Sequence, residues 1–157
     1  GGDSAGGGLA AALAVLCTAQ GGPRIDALVL LSAWLDVRVT AATYASNAAS
    51  DPMFSRESAD VAAELYLQGF DPTHPLASPL LAPVEDLPPT LVSVGTGEVL
   101  LDDSLLFHEK LVKAGVKSTL SAVPGMDHVA VVQSLAKPGA AETFEEVVKL
   151  IEGVLAD

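Results

Sequence analysis

The chain predicts an α/β fold, a parallel sheet with helices on both faces, and three observations carry that prediction. Helical and strand-like segments follow one another in the order helix, strand, insertion, strand, helix, strand, helix. Such alternation sets strands side by side in one sheet, with crossover helices laid over it. The first strand reads as a short, unbroken apolar run, as expected where both faces of a sheet are covered, and the second is set off by prolines before it and a glycine after it. A glycine-rich turn, Gly2-Asp3-Ser4-Ala5-Gly6, opens the first helix.

Residues 5–19 are rich in Ala and Leu, strong helix formers, and stop at Gly21-Gly22-Pro23. Residues 27–31 (ALVLL) make the first strand. From about residue 34 to 83 the chain changes character: it is polar and punctuated by Ser, Asn and Pro, with one clear helix over 55–67. Ser55 is its N-cap, with Ser58 where a capping box usually carries Glu. Asp71, Pro72, Pro75, Pro79 and Pro83 then mark an extended, turning connection. The second strand, 91–94, follows Pro88-Pro89 and stops before Gly95. Asp102 or Asp103 is expected to cap the next helix, whose core-facing stripe is Leu105, Leu106, Phe107, Leu111 and Val112. Residues 118–123 form the third strand. An amphipathic closing helix covers 143–155, with Glu142, Glu145 and Glu146 near its N-terminal end, where the helix dipole favours them.

Composition narrows the function classes. The 157 residues are 50% apolar, enough for a buried core, and carry a net charge of -12. That charge argues against nucleic acid and anionic membranes, which reward clustered Lys and Arg. Cys17 is the single cysteine, so no intrachain disulfide or cysteine-rich metal site is expected. Its alanine-rich surroundings predict a packed core thiol. No run approaches the ~18 apolar residues of a membrane span; residues 9–17 are apolar throughout but too short. No signal peptide stands at residue 1, and a cytoplasmic location is the expectation. Nothing apolar precedes Ser4, so the chain is expected to be the C-terminal part of a larger catalytic unit.

The pattern G-x-S-x-G around Ser4 is the nucleophile elbow of α/β-hydrolases, a tight strand-to-helix turn that lifts a serine hydroxyl into a cleft. A phosphate-binding loop is the rival for residues 1–8, but the Lys-Ser/Thr pair and the G-x-G-x-x-G spacing are missing. A serine hydroxyl needs a neighbouring base to become a nucleophile. The elbow therefore predicts an acid and then a histidine downstream, on loops past the carboxyl ends of strands. His128, in Pro124-Gly125-Met126-Asp127-His128, directly follows the third strand. His74 sits in the proline-rich connection and His108 on a helix, so His128 is the candidate base. After the second strand, Gly95-Thr96-Gly97-Glu98 presents Glu98 first, on the loop itself. Asp102 and Asp103 remain as alternatives for the acid.

Several further segments resemble the hormone-sensitive-lipase-like family of α/β-hydrolase esterases. Gly2 to Gly7 match its G-D-S-A-G-G elbow. Ser32-Ala33-Trp34-Leu35-Asp36 resembles its S-P-W-x-D segment, and Asp51-Pro52-Met53 and Pro75-Leu76-Ala77-Ser78-Pro79 its D-P-M and P-L-A-S-P segments. Gly125-Met126-Asp127-His128 resembles its histidine loop. Many members have Asp-Pro-Leu at the acid position; Glu98-Val99-Leu100 here resembles the members that use Glu. The family's His-Gly-Gly-Gly segment, which supplies oxyanion-hole amides, is absent from these residues.

The resemblance implies an α/β-hydrolase fold, with residues 1–157 as a partial catalytic domain and about 34–83 as its cap-side insertion. It implies a serine carboxylesterase or lipase-like hydrolase acting on short- to medium-chain acyl esters through an acyl-enzyme. Ser4 would be the nucleophile, His128 the base, Glu98 the acid, and the amide of Ala5 one oxyanion donor. No metal or organic cofactor is implied, the partner is a small-molecule ester, and the family suggests homodimers through the last strand and helix. Trp34, Tyr44, Phe54, Tyr66 and Phe70 fall in the insertion and are candidates for substrate contact. The alternative is a non-catalytic ligand-binding protein on the same fold, against which the presence of His128 speaks.

Overall fold

The computed structural model describes residues 1–156. Four parallel strands lie in chain order: β1 (Gly2–Asp3), β2 (Leu28–Leu31), β3 (Thr90–Gly95) and β4 (Ser118–Val123). Their register pairs Gly2 with Leu30, Leu30 with Val92, and Val92 with Leu120. β3 is central and buried along its whole length. The sequence did not anticipate β1. It is two residues long, with no apolar run to announce it.

Helices cover both faces, in agreement with the α/β reading. Helices α1 (Ser4–Gln20) and α4 (Leu101–Lys113) lie on one face. There Ala11, Ala14, Leu30, Val92, Phe107 and Leu111 form the main core. Side chains alternate along a strand, so Ser93, next to Val92, points to the opposite face. It meets Thr143 of helix α6 (Ala140–Leu155) there, the two hydroxyl oxygens 3.3 Å apart. Helix α1 ends at Gly21, whose φ of 63° suits glycine.

Between β2 and β3 the chain builds a second core above the strand ends. It holds helix α2 (Thr43–Ser46), helix α3 (Arg56–Leu67) and a 3-10 turn, Pro79–Leu81. Trp34, Val37, Tyr44, Ala59, Ala63 and Leu100 are buried together in it. The capping box of α3 forms as the sequence suggested: Ser55 Oγ accepts from the Ser58 N–H at 3.2 Å, and Ser58 Oγ accepts from the Ser55 N–H at 3.0 Å.

Three local expectations need correction. Asp102 and Asp103 do not cap α4; the cap position is Leu100, and both carboxylates reach across to other segments. In the α4 stripe only Phe107 and Leu111 are buried, while Leu106 and Val112 face outward. Successive helical residues are turned by about 100°, so a run such as Leu105-Leu106-Phe107 cannot all point inward. Cys17 is half-buried instead of packed in the core; it lies in the last turn of α1. Helix α6 is amphipathic, yet Phe144, Val148 and Ile151 are exposed along its apolar stripe. A short helix, α5 (Ala130–Gln133), joins the histidine loop to α6.

Candidate active site

The strand β1 turns directly into α1 at Ser4, which holds a φ of 51°. That left-handed conformation is costly for a residue with a side chain and marks a tight reversal of the chain. The glycines around it are needed for room. A Cβ at Gly2 would run into the Gly6 carbonyl, and one at Gly8 would run into the carbonyl of Trp34. The turn is tied from outside by the Trp34 N–H, which donates to the Ser4 carbonyl at 2.9 Å.

Three loops at the carboxyl ends of β1, β3 and β4 bring Ser4, Glu98 and His128 into one hydrogen-bonded chain. Ser4 Oγ lies 2.9 Å from His128 Nε2, and His128 Nδ1 lies 2.7 Å from Glu98 Oε2. A carboxylate only accepts, so Nδ1 carries the proton and Nε2 is left free to accept from the serine. Glu98 and His128 are both buried, at 2% and 6% exposure. A buried carboxylate needs its lone pairs satisfied. Here Glu98 Oε1 accepts from the Gly95 N–H at 2.6 Å and from Ser32 Oγ at 2.8 Å.

The alternatives to Glu98 are engaged elsewhere. Asp103 Oδ2 accepts from the N–H groups of Leu35 and Asp36, at 2.9 and 3.0 Å. Asp102 Oδ2 accepts from the Thr43 N–H at 3.1 Å. Burial raises the Asp103 carboxyl to about 7; the Leu35 N–H pulls it down, and the nearby Asp36 charge adds to the rise. Asp36 shows the opposite outcome. Burial alone would raise its carboxyl, but Arg38, bound through its side chain and backbone, brings it below the ordinary carboxylate range. His74 and His108 are outside the site; His74 Nδ1 accepts from the Leu76 N–H, and His108 Nδ1 pairs with Ser118 Oγ.

The insertion holds the acid loop through contacts that no residue pattern announces. Asn47 Nδ2 donates to the carbonyls of Thr96 and Glu98 at 3.1 and 2.8 Å, and Ser50 Oγ donates to the Gly97 carbonyl at 2.8 Å. Asp51 ties two pieces together. Its Oδ2 accepts from the Val99 N–H, while its Oδ1 accepts from the N–H groups of Met53 and Phe54.

Of the five aromatic candidates, Trp34 and Tyr66 line an apolar cavity of about 350 Å³ that opens beside Ala5 and Gly6. Val37, Ala62, Leu76 and Ala77 complete most of its wall. Phe54 instead packs on His128. Tyr44 is buried in the second core, and Phe70 packs edge-on against His74. The backbone amide of Ala5 sits in the first turn of α1, where amides have no partner within the helix. Among the described residues no cluster of His, Cys, Asp and Glu is arranged to hold a metal ion, and no helix is long and apolar enough to cross a membrane.

Comparison with known proteins agrees with this architecture. The family described as alpha/beta hydrolase fold matches residues 1–132. An acetyl-hydrolase of Streptomyces hygroscopicus is 39% identical over 128 residues, covering 82% of this chain and 43% of the relative. An esterase of Acinetobacter venetianus is 38% identical over 126 residues, covering 80% and 42%. The crystal structure of EstE5 superposes with a TM-score of 0.94 at 37% identity, covering 99% of this chain and 53% of that one. An esterase from the bacterial hormone-sensitive lipase family gives a TM-score of 0.89 at 38% identity, with 98% and 50% covered. The chain spans about half the length of these relatives. With the family matched over most of its residues and the elbow, sheet and helices superposing on such esterases, the chain belongs to the alpha/beta hydrolase fold family, in its hormone-sensitive-lipase-like branch.

Proposed function

We propose that this chain carries the catalytic residues of a serine carboxylesterase acting on short- to medium-chain acyl esters. The observation that carries the reading is the unbroken relay from Ser4 Oγ through His128 to the buried Glu98 carboxylate. His128 Nε2 takes the Ser4 proton as Oγ attacks the ester carbonyl, and the same proton then leaves with the alcohol. An acyl-enzyme on Ser4 remains. Water, deprotonated by His128, attacks that acyl group and releases the acid, returning the proton to Ser4. Glu98 keeps the imidazole in the useful tautomer and stabilises its cation. The Ala5 amide, at the positive end of α1, donates one hydrogen bond to the oxyanion.

The apolar cavity beside Ala5 and Gly6 supports an acyl group without charge or large polar substituents. Residues 34–83 serve as the cap-side insertion of a catalytic domain, since their core roofs the strand ends and their side chains fasten the acid loop. The names of the relatives, acetyl-hydrolase and esterase, support the same class. A purely ligand-binding protein would have no use for a buried carboxylate aligned on the imidazole.

The test is hydrolysis of p-nitrophenyl acetate and butyrate, with mass-spectrometric detection of phenylmethylsulfonyl fluoride on Ser4. Residues 1–157 are assayed as such and joined behind the N-terminal half of an esterase relative. Hydrolysis and labelling that vanish together in Ser4→Ala are expected. Neither hydrolysis nor labelling in either form would overturn the reading.

A further inference from the structure

Ser32 stands immediately after β2, buried, with a φ of 49°. In that region a side chain crowds its own backbone, and glycine or asparagine is the residue of least strain. A serine persists in such a place where its surroundings over-determine it. Here the hydroxyl is used twice. Its O–H donates to Glu98 Oε1 at 2.8 Å, and its oxygen accepts from the Val129 N–H at 3.1 Å. One proton and one lone pair satisfy both bonds at once. Val129 follows His128 directly and is itself held at a φ of 51°. A single side chain on the β2 loop therefore grips the acid on one side and the histidine loop on the other.

We infer that Ser32 is a positioning residue of the triad, fixing the Glu98–His128 pair and setting the basicity of the Glu98 carboxylate. Its kinetic consequence rests on the esterase reading; its effect on the His128 proton does not. A hydrogen bond donated to a carboxylate favours the charged form and lowers its basicity. Without the Ser32 hydroxyl, Glu98 keeps the Gly95 N–H as its other Oε1 donor, presents a more basic carboxylate to Nδ1 of His128, and makes His128 harder to deprotonate. The Val129 N–H loses its acceptor in a part-buried position, which loosens the loop.

Two variants separate the hydroxyl from the backbone. Ser32→Ala removes the hydroxyl and keeps the strained conformation. Ser32→Gly removes the hydroxyl and relieves the strain, so it folds even where the alanine variant does not. Both are examined by proton NMR titration of His128, and by the rate at which phenylmethylsulfonyl fluoride modifies Ser4. The expected result is an upward shift of the His128 titration in both variants. Ser4 modification should slow by roughly 10- to 100-fold, the rate equivalent of one lost hydrogen bond to a charged group. A glycine variant with wild-type titration and wild-type labelling would show that only the backbone conformation matters, and the inference falls. If the parent chain is not labelled at all, the esterase reading fails, and the titration alone still decides the role of Ser32.

Discussion

The Phe54 ring lies against the imidazole of His128, with centroids 5.8 Å apart and planes within 13° of parallel. Trp34 meets the Phe54 ring edge-on, with centroids 5.9 Å apart. An aromatic face attracts a cation placed over it, by ~0.5–1 kcal/mol at partly exposed sites. Phe54 therefore favours the imidazolium that would form in the proposed attack by Ser4. Phe54→Leu should lower turnover by about 2- to 5-fold and shift the His128 titration downward, opposite in sign to the Ser32 variants. An unchanged titration in Phe54→Leu would mean that the stack serves packing alone.

The relay predicts a strongly unequal response to substitution. Ser4→Ala and His128→Ala should each reduce ester turnover by several orders of magnitude, and the double variant should be little worse, because triad members act as a unit. Glu98→Gln should be crippling, since the amide cannot hold the imidazole cation. Asp103→Asn should be mild, because Asp103 binds the Leu35 and Asp36 amides. The opposite ranking of these two variants in a p-nitrophenyl butyrate assay would move the acid to Asp103.

Asp103 makes a separate prediction about stability and pH. Its carboxyl is raised by burial to about 7, against ~3.9 for an unfolded aspartate. Between those values the folded chain holds a proton that the unfolded chain has released. The contribution of Asp103 is therefore fully present below the unfolded value and is lost as pH rises through about 7. Asp36, lowered by its Arg38 contacts, runs the other way, losing its contribution only in acid. Asp103→Asn removes the first dependence. The urea midpoint of the variant, relative to wild type, should become more favourable between pH 5 and pH 8. A midpoint difference that does not vary with pH contradicts this account of Asp103.

Residues 1–157 in isolation should self-associate. β1 pairs on one side only, and Leu9 and Leu13 of α1 are 66% and 54% exposed beside it. On the opposite side of the molecule, α6 exposes Phe144, Val148 and Ile151. An open sheet edge flanked by apolar side chains invites pairing with another chain. Sedimentation should show species larger than a monomer at micromolar concentration. A monodisperse monomer would contradict the prediction.

What the sequence made legible was local. The elbow requires small residues at fixed offsets from Ser4, β2 announces itself as an apolar run and β3 by its flanking prolines and glycine, and His128 could be picked by its place just after β4. The supporting contacts are of another kind. Ser32 meets Glu98 across 66 residues and Val129 across 97, and Asn47 meets the Glu98 carbonyl across 51. No spacing rule reports such pairs, because only the parallel sheet brings the loops together. Asp102 and Asp103 misled for the same reason. An aspartate ahead of a helix has the composition of a cap, but distant amides of the β2 loop and of Thr43 compete for it and win.

The φ of 51° at Ser4 also bears on how such a protein changes over generations. The residue proposed to attack the ester is one that its own backbone position disfavours, and glycine there would relieve strain of order 1–3 kcal/mol. Once selection for hydrolysis relaxed, drift at this position would run towards a firmer fold. Trp34, Tyr66 and the apolar cavity would survive that exchange untouched. A silent descendant that keeps the cavity is thus a short mutational step downhill from the proposed catalyst, whereas the return step must climb.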